Sequence, residues 1–321
     1  MIRNITILLL FSLLTTGWGQ DCDEGYTEID GDCYYQSDLD VLQQFIDNSQ
    51  DSFSPPPPDM SPIDFGVQEW ENGRIVFLCY TYMTENECPI GDYVLSGPIP
   101  PDIGNLVELR YLMLCDSQLH GQIPPSIGNL ANLTELYLRK NQLSGEIPSE
   151  IWNLVNLDRL FLEYNYLSGE LPESIDNLVN LRYLNLKYNR LSGQIPQSIG
   201  NFDIMIGLHL AHNQFSGMVP EGICNLLENS NFIYLYGNQL CPPYPECLSE
   251  DDIGFQDTSE CSEIDFCDLN LDGNIDVLDI ILVINCILQN GECDYICMDY
   301  NEDSEVNILD VIIMVNIILG N

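Results

Sequence analysis

The chain has 321 residues, is 45% hydrophobic, and carries 50 Asp and Glu against 9 Lys and Arg, a formal net charge of −41. That apolar content excludes a wholly disordered chain, and the length accommodates two or three domains. The charge excludes nucleic acid and anionic membrane surfaces as partners and favours calcium or a basic partner.

Residues 1–19 read as a secretory signal peptide. Arg3 supplies the positive start, Ile5 to Leu14 the apolar stretch, and small residues continue up to Gly19. The apolar run is too short to span a bilayer comfortably. The Val306 to Leu319 run is interrupted by Asn307, Asp310 and Asn316, which predicts a buried helix rather than a membrane span. Thirteen cysteines in an exported chain imply disulfides. Close spacing favours Cys22 with Cys33 and Cys79 with Cys88. Connectivity stays open within Cys224, Cys241, Cys247 and Cys261, and within Cys267, Cys286, Cys293 and Cys297. Cys115 is left over and is the candidate thiol or intermolecular bridge.

Residues 20–84 are expected to form an N-terminal cap region. Leu39, Leu42, Phe45 and Ile46 have helical spacing, and Pro55 to Pro58 predict an extended linker. From residue 85 to 249 the chain repeats itself. LTELYLRKNQLSGEIPSEIWNLVN from Leu133 is one of five copies in register at a period of 24, beginning at Leu109, Leu133, Leu157, Leu181 and Met205. Leu112, Leu136, Leu160, Leu184 and Leu208 point inward from a short strand, and alternation puts their neighbours outside. Asn141, Asn165, Asn189 and Asn213 recur where the chain leaves the strand, where an amide can bond backbone groups that the turn strands. Gly145, Gly169, Gly193 and Gly217 allow tight bends, and the proline after each extends the chain. One copy cannot bury its own apolar face, so stacking is obligatory.

These copies resemble the LSGxIP class of leucine-rich repeats, known from plant receptor ectodomains and polygalacturonase inhibitors. The resemblance covers residues 85 to 245. It implies a curved α/β leucine-rich repeat solenoid with a parallel sheet on its concave face. Glu69 to Leu78 resembles the strand that opens this class, and the Cys241 to Cys247 run suggests a stapled C-terminal cap. Ser117 departs from the pattern by replacing the first ladder Asn. Outward strand positions form columns containing Tyr111, Tyr137, Arg139, Lys140, Arg159, Phe161, Tyr164, Tyr183, Lys187, Tyr188, His209 and His212. Seven of the nine basic residues lie between Arg110 and Arg190. An aromatic, mixed-charge strip on an acidic body reads as a recognition face for a protein or a glycan. Ordinary solvated strand positions are the plainer alternative, since Tyr is favoured in strands.

Residues 250–262 are expected to be a linker. A second duplication occupies 263–321 at a spacing of 31. Asp268, Asn270, Asp272, Asn274, Asp276 and Asp279 place oxygen donors at alternating loop positions, with Gly273 at the turn. Asp299, Asn301, Asp303, Glu305, Asn307 and Asp310 repeat them, with Ser304 in place of the glycine. Such loops supply the hard oxygen ligands that calcium requires, predicting two Ca²⁺ sites, the second weaker. Two loop–helix units with Asp at position 12 resemble a type I dockerin, a small all-α calcium-binding domain. The resemblance implies docking to a cohesin-like scaffold or envelope partner through Val277, Leu278, Ile308 and Leu309. The segment has thirteen acidic residues and no Lys or Arg, so metal binding and folding should be coupled.

The function expected is that of a secreted or cell-surface binding and adaptor protein with no catalysis of its own. Repeats, caps and loops account for nearly all of the chain, and no nucleophile motif accompanies its three histidines. The alternative is a non-catalytic or inhibitory component of an extracellular polysaccharide-degrading system.

Overall fold

The computed structural model describes residues 22–81, 92–227, 232–259, 261, 277–288 and 307–318. The N-terminal part opens with an antiparallel hairpin, β1 (Tyr26–Ile29) and β2 (Asp32–Tyr35), and continues into helix α1 (Gln36–Asn48). Cys22 is bonded to Cys33 across this hairpin. The apolar stripe of α1 buries Leu39, Val41, Leu42, Phe45 and Ile46 against the first turns of the solenoid core. Asp38 is fully buried on the same helix. Its carboxylate accepts two hydrogen bonds at 2.9 Å from the Arg74 guanidinium and one at 3.0 Å from the Ile75 N–H. The proline run is tied down: Pro56 is buried and its carbonyl accepts from the Gln50 amide at 3.2 Å.

Strands β3 (Val67–Glu71) and β4 (Arg74–Thr81) form a second hairpin, turned by Asn72 and Gly73 at positive φ. Strand β4 then starts a parallel ladder. Each repeat contributes two strands in turn. In chain order these are β5 (Ser96–Gly97), β6 (Tyr111–Cys115), β7 (Gln118–Gly121), β8 (Glu135–Tyr137), β9 (Gln142–Glu146), β10 (Arg159–Phe161), β11 (Tyr166–Gly169), β12 (Tyr183–Asn185), β13 (Arg190–Gly193), β14 (Gly207–His209) and β15 (Gln214–Met218). The short helix α2 (Cys224–Leu227) comes next, then β16 (Phe232–Tyr234), β17 (Gln239–Cys241) and helix α3 (Glu250–Ile253). One sheet has eight strands in the order β16-β14-β12-β10-β8-β6-β4-β3, and a second has seven in the order β17-β15-β13-β11-β9-β7-β5. Between each β11-type strand and the next repeat the chain makes a single 3₁₀ turn, such as Glu173–Asn177, that buries one isoleucine.

The sequence predicts the first sheet only. The second runs through the Leu-Ser-Gly segments, and its glycines sit in the strands at positive φ: Gly121, Gly145 and Gly193 have φ of +81, +81 and +76. A side chain there would be strained and would meet the neighbouring repeat; a Cβ on Gly193 would lie 2.7 Å from Glu170. Between the sheets lies one continuous apolar core. Leu157, Leu160, Leu162, Leu167, Ile175 and Leu178 are all fully buried in a single repeat. Each such side chain contributes roughly 1.5–3 kcal/mol on burial, which requires a stacked neighbour on both sides.

The ladder asparagines close the turns. Asn165 donates to the carbonyls of Leu138 at 2.9 Å and Leu162 at 3.0 Å, and accepts from the Leu143 N–H at 3.0 Å. Asn141, Asn189 and Asn213 repeat this set one repeat apart. Ser117, in the copy lacking Asn, bonds only locally, to the Cys115 carbonyl at 3.0 Å. Asn238 extends the ladder, and Gln256 ends it by accepting from the Leu240 N–H at 3.2 Å and donating to Leu235 and Ile253.

Gln256 corrects an expectation. Residues 250–259, with Cys261, close the end of the solenoid rather than forming a linker. Helix α3 begins with a capping box between Ser249 and Asp252, Ile253 joins the core, and the Asp252 carbonyl accepts from the Leu235 N–H at 2.8 Å. Two disulfides resolve the open connectivity of this region: Cys224–Cys247 and Cys241–Cys261. Cys79 is disulfide-bonded, and its expected partner Cys88 lies outside the described residues. Cys115 is outside any disulfide; its buried thiol donates to the Tyr137 carbonyl at 3.8 Å.

Helices α4 (Val277–Leu288) and α5 (Ile308–Ile318) pack on each other. Residues 31 apart have matching burial. Asp279 and Asp310, Ile280 and Val311, and Val283 and Met314 are buried; Val277 and Ile308, Leu278 and Leu309, and Ile281 and Ile312 are exposed. Among the described residues no helix is long and apolar enough to cross a membrane.

Candidate ligand-binding face

Register along the eight-stranded sheet aligns the predicted columns. Tyr111, Glu135, Arg159 and Tyr183 are successive partners, as are Met113, Tyr137, Phe161, Asn185 and His209. The face these columns form divides into two unlike halves.

The N-terminal half is occupied by its own contacts. Tyr137 is 1% exposed, which corrects the expectation that it faces solvent. It packs with Cys79, Met113 and Cys115, edge-on to Phe161 at 4.7 Å between centroids. Its hydroxyl accepts from Arg159 at 3.2 Å. Burial raises the Tyr137 phenol, and the bond to Tyr137 raises Arg159, so both keep their protons. Arg159 also approaches Asp158 at 3.2 Å and Glu135 at 3.9 Å and lies over Tyr183 at 5.3 Å. Arg139 faces the buried Glu163 at 4.0 Å, Lys140 pairs with Asp116 at 3.0 Å, and Arg182 holds Asp158 from the next repeat at 2.9 Å. Tyr111 is 36% exposed and leans on Phe77.

The C-terminal half is aromatic and more open. Tyr164 and Tyr188 are 41% and 40% exposed and stack at 4.5 Å; Tyr188 stacks on His212 at 4.2 Å. His212 meets Tyr236 edge-on at 5.1 Å, Tyr236 meets Tyr234 at 6.1 Å, and Tyr234 meets His209 at 4.7 Å. The six rings are linked. The Lys187 ammonium lies 5.5 Å from the Tyr164 centroid. Burial, with a smaller contribution from Lys187, lowers His209 to about 4, so its imidazole is neutral at pH 7.

Backbone geometry explains the stack. Asp116, Lys140, Tyr164, Tyr188 and His212 each take a positive φ, between +49 and +58, at the turn out of the strand. Asn or Gly adopts this conformation at little cost, whereas a bulky residue there carries strain of order 1 kcal/mol or more. Here three successive repeats place an aromatic ring at it. The sequence names these residues, but the conformation that aims their rings along the solenoid axis does not appear in a residue pattern. Tyr234 and Tyr236 were also missed, because the last repeat is one residue longer and breaks the period.

The predicted calcium ligands divide. Asp279 and Asp310, at loop position 12, are buried at 0% and 1% exposure in the first turns of α4 and α5. The Asp310 carboxylate accepts from the Asn307 N–H at 2.8 Å, and the Asn307 side chain accepts from the Leu309 N–H at 2.9 Å. Asp268, Asn270, Asp272, Asn274, Asp276, Asp299, Asn301, Asp303 and Glu305 lie outside the described residues. Among the described residues no cluster of three or more His, Cys, Asp or Glu could hold a metal. The Asp279 and Asp310 side chains both carry the hard oxygen donors that calcium takes. The docking residues Val277, Leu278, Ile308 and Leu309 are 61%, 53%, 60% and 53% exposed.

Leucine-rich repeat family models match residues 107–167, 180–202 and 206–226. Of solved structures, PEPR1–AtPEP1 is 32% identical over 66% of this chain and 29% of its own, with a TM-score of 0.55. The Arabidopsis receptor kinase HAESA, in complex with the peptide hormone IDA and the co-receptor SERK1, is 38% identical over 47% of this chain and 25% of its own, with a TM-score of 0.45. Pollen Receptor Kinase 3 is 25% identical over 64% of this chain and 99% of its own, with a TM-score of 0.49. The chain thus spans under a third of the first of these, and no curated protein matches it. The described residues from β4 to β17 form a solenoid of parallel ladders, and leucine-rich repeats are matched within it.

Proposed function

We propose that this chain is an exported, non-enzymatic binding protein whose solenoid grips a protein or glycan ligand on the concave sheet, while its C-terminal helix pair tethers it through a calcium-loaded, dockerin-like module. One observation carries the gripping role: a linked set of six aromatic rings stands partly exposed at one end of the sheet, three of them (Tyr164, Tyr188 and His212) at backbone positions where aromatics are strained. The likeness to PEPR1–AtPEP1, a structure of two named components, supports a binding rather than a catalytic use of the solenoid. Three described disulfides suit an oxidising, extracellular setting.

The tethering role rests on the duplicated loop–helix pattern and on the buried position-12 carboxylates Asp279 and Asp310. Calcium would neutralise them together with the loop oxygens, and would fix α4 against α5. Val277 with Leu278 and Ile308 with Leu309 then form two nearly equivalent apolar corners, which would let a cohesin-like partner dock in either of two orientations.

Titrating Ca²⁺ into the chelator-treated full chain by calorimetry, alongside limited proteolysis, tests this reading. Heat should be released, and cleavage between residues 262 and 321 should be suppressed by calcium and restored by chelator. Unchanged cleavage with no heat would remove the tether and leave the solenoid alone.

A further inference from the structure

The two halves of the concave sheet differ in one chemical respect. The N-terminal half uses carboxylates freely: Glu135, Glu163, Asp158 and Asp116 each face a cation. From β12 onward, the outward positions include Tyr183, Asn185, Lys187, Tyr188, His209 and His212, then Tyr234 and Tyr236, and among the described residues there is no Asp or Glu in these columns. The chain as a whole has 50 acidic residues in 321, about one in six. A carboxylate-free patch in so acidic a chain is a specific feature of this face. Lys187, inside it, has no carboxylate within ion-pair distance among the described residues and sits over a tyrosine ring instead.

We infer that this C-terminal half of the concave sheet binds a neutral, hydroxyl-rich glycan chain. The inference rests on the solenoid being the gripping element, as proposed above, and adds the chemistry of what it grips. Charge selects the ligand. A polyanion is repelled by the net charge of −41. A polycation is drawn to the acidic body but finds no carboxylate in this patch from β12 onward, only the buried Glu163 beside Tyr164, which already faces Arg139, and meets the Lys187 ammonium. A neutral chain is subject to neither effect. The side chains match such a ligand: phenol hydroxyls, imidazole nitrogens, the Asn185 amide and an ammonium group offer both donors and acceptors. The rings supply apolar surface for the C–H faces of a sugar. The Tyr164–Tyr188–His212 stack holds these groups at centroid spacings of 4.5 and 4.2 Å, and Tyr236, turned 84° to His212, sets a ring across the end of the stack. Groups so packed lose little further freedom when a ligand arrives.

The test uses the full chain, with cellohexaose, xylohexaose and mannohexaose as neutral probes and polygalacturonate, polylysine and a library of uncharged dodecapeptides as contrasts, read by calorimetry and tyrosine fluorescence. Tyr164→Asn and Tyr188→Asn are chosen because Asn tolerates the left-handed backbone, so the fold is retained. At least one hexasaccharide should bind, each variant should weaken it at least tenfold, and Tyr166→Asn on the other sheet should leave it unchanged. Failure of all three hexasaccharides to bind overturns the inference. Peptide binding that Tyr188→Asn abolishes would overturn the glycan chemistry while upholding the gripping face. Saccharide binding that neither variant changes would overturn the assignment of the patch.

Discussion

Removing one ladder amide offers a quantitative check on how the turns are held. Asn165 is 5% exposed and makes three short hydrogen bonds to backbone: to the carbonyls of Leu138 and Leu162 and from the Leu143 N–H. Asn165→Ala strands all three groups in a core that water does not reach. The Leu143 N–H has no alternative acceptor among the hydrogen bonds described and should cost the most; the carbonyls retain a second lone pair each. At roughly 1–3 kcal/mol for each stranded buried group, the loss is about 3–5 kcal/mol. Asn165→Asp discriminates further. It keeps the acceptor for Leu143 but turns a charged oxygen toward two carbonyls, so at pH 7 it should destabilise at least as much as Ala. Near pH 4, where the carboxyl is protonated and donates once, part of the loss should be regained relative to Ala. Urea unfolding monitored by circular dichroism gives both numbers. Because repeats are stabilised by nearest neighbours, the transition should also broaden or split around the third copy, which begins at Leu157. An Asn165→Ala chain within about 1 kcal/mol of wild type, or an Asn165→Asp chain indistinguishable from it at pH 7, would refute the account.

His209 and the N-terminal cap give further tests. His209 ionises near pH 4 when folded against an ordinary value of 6.5. Between those values the unfolded chain takes up a proton that the folded chain refuses, so acidification through that interval favours unfolding. Full linkage would be about 3 kcal/mol, and partial exposure reduces it to about 1–2 kcal/mol. His209→Gln should therefore lose less stability than wild type between pH 7 and pH 4.5 in parallel urea melts; equal losses would show the ring to be ordinary. In the cap, Asp38→Ala should cost about 3 kcal/mol by leaving the Arg74 guanidinium and the Ile75 N–H without their acceptor. Asp38→Asn, which can still accept from Ile75, should cost less. A thermal-melt cycle with Arg74→Ala should show clear non-additivity, and strictly additive losses would dismiss the pair.

The repeating leucines, the asparagines and the concave columns were legible because each occupies one position in a period of 24, and stacking converts that period directly into columns. The second sheet was not. Its strands are Leu-Ser-Gly segments, whose glycines have little intrinsic preference for extended structure; the neighbouring copies create the strand. Gln256 was missed for another reason. It fills the ladder position with a longer amide, 16 residues after Leu240, whose N–H it accepts from, rather than the 22 separating Asn165 from Leu143, so no alignment of copies finds it. The burial of Tyr137 likewise comes from who sits beside it, Met113 and Phe161, rather than from its own alternation. The aromatic stack needed a left-handed backbone that only coordinates reveal.

The ladder also has a direction. Asn165 bonds to residues 22 and 27 positions earlier, and Asn189 in turn satisfies the Leu167 N–H and the Leu162 carbonyl. Each coil followed by a ladder amide is thus sealed by the one synthesised after it; the coil before Ser117 is the exception. A ribosome adding about 5–20 residues per second leaves each newly emerged coil open for a second or more until the next arrives. Loss of residues from the C-terminal side unseals the coil before the break, whereas a break on the N-terminal side leaves every later seal intact. Gln256 is the last seal, and the Cys241–Cys261 bond holds the strand it closes to the residues just beyond it.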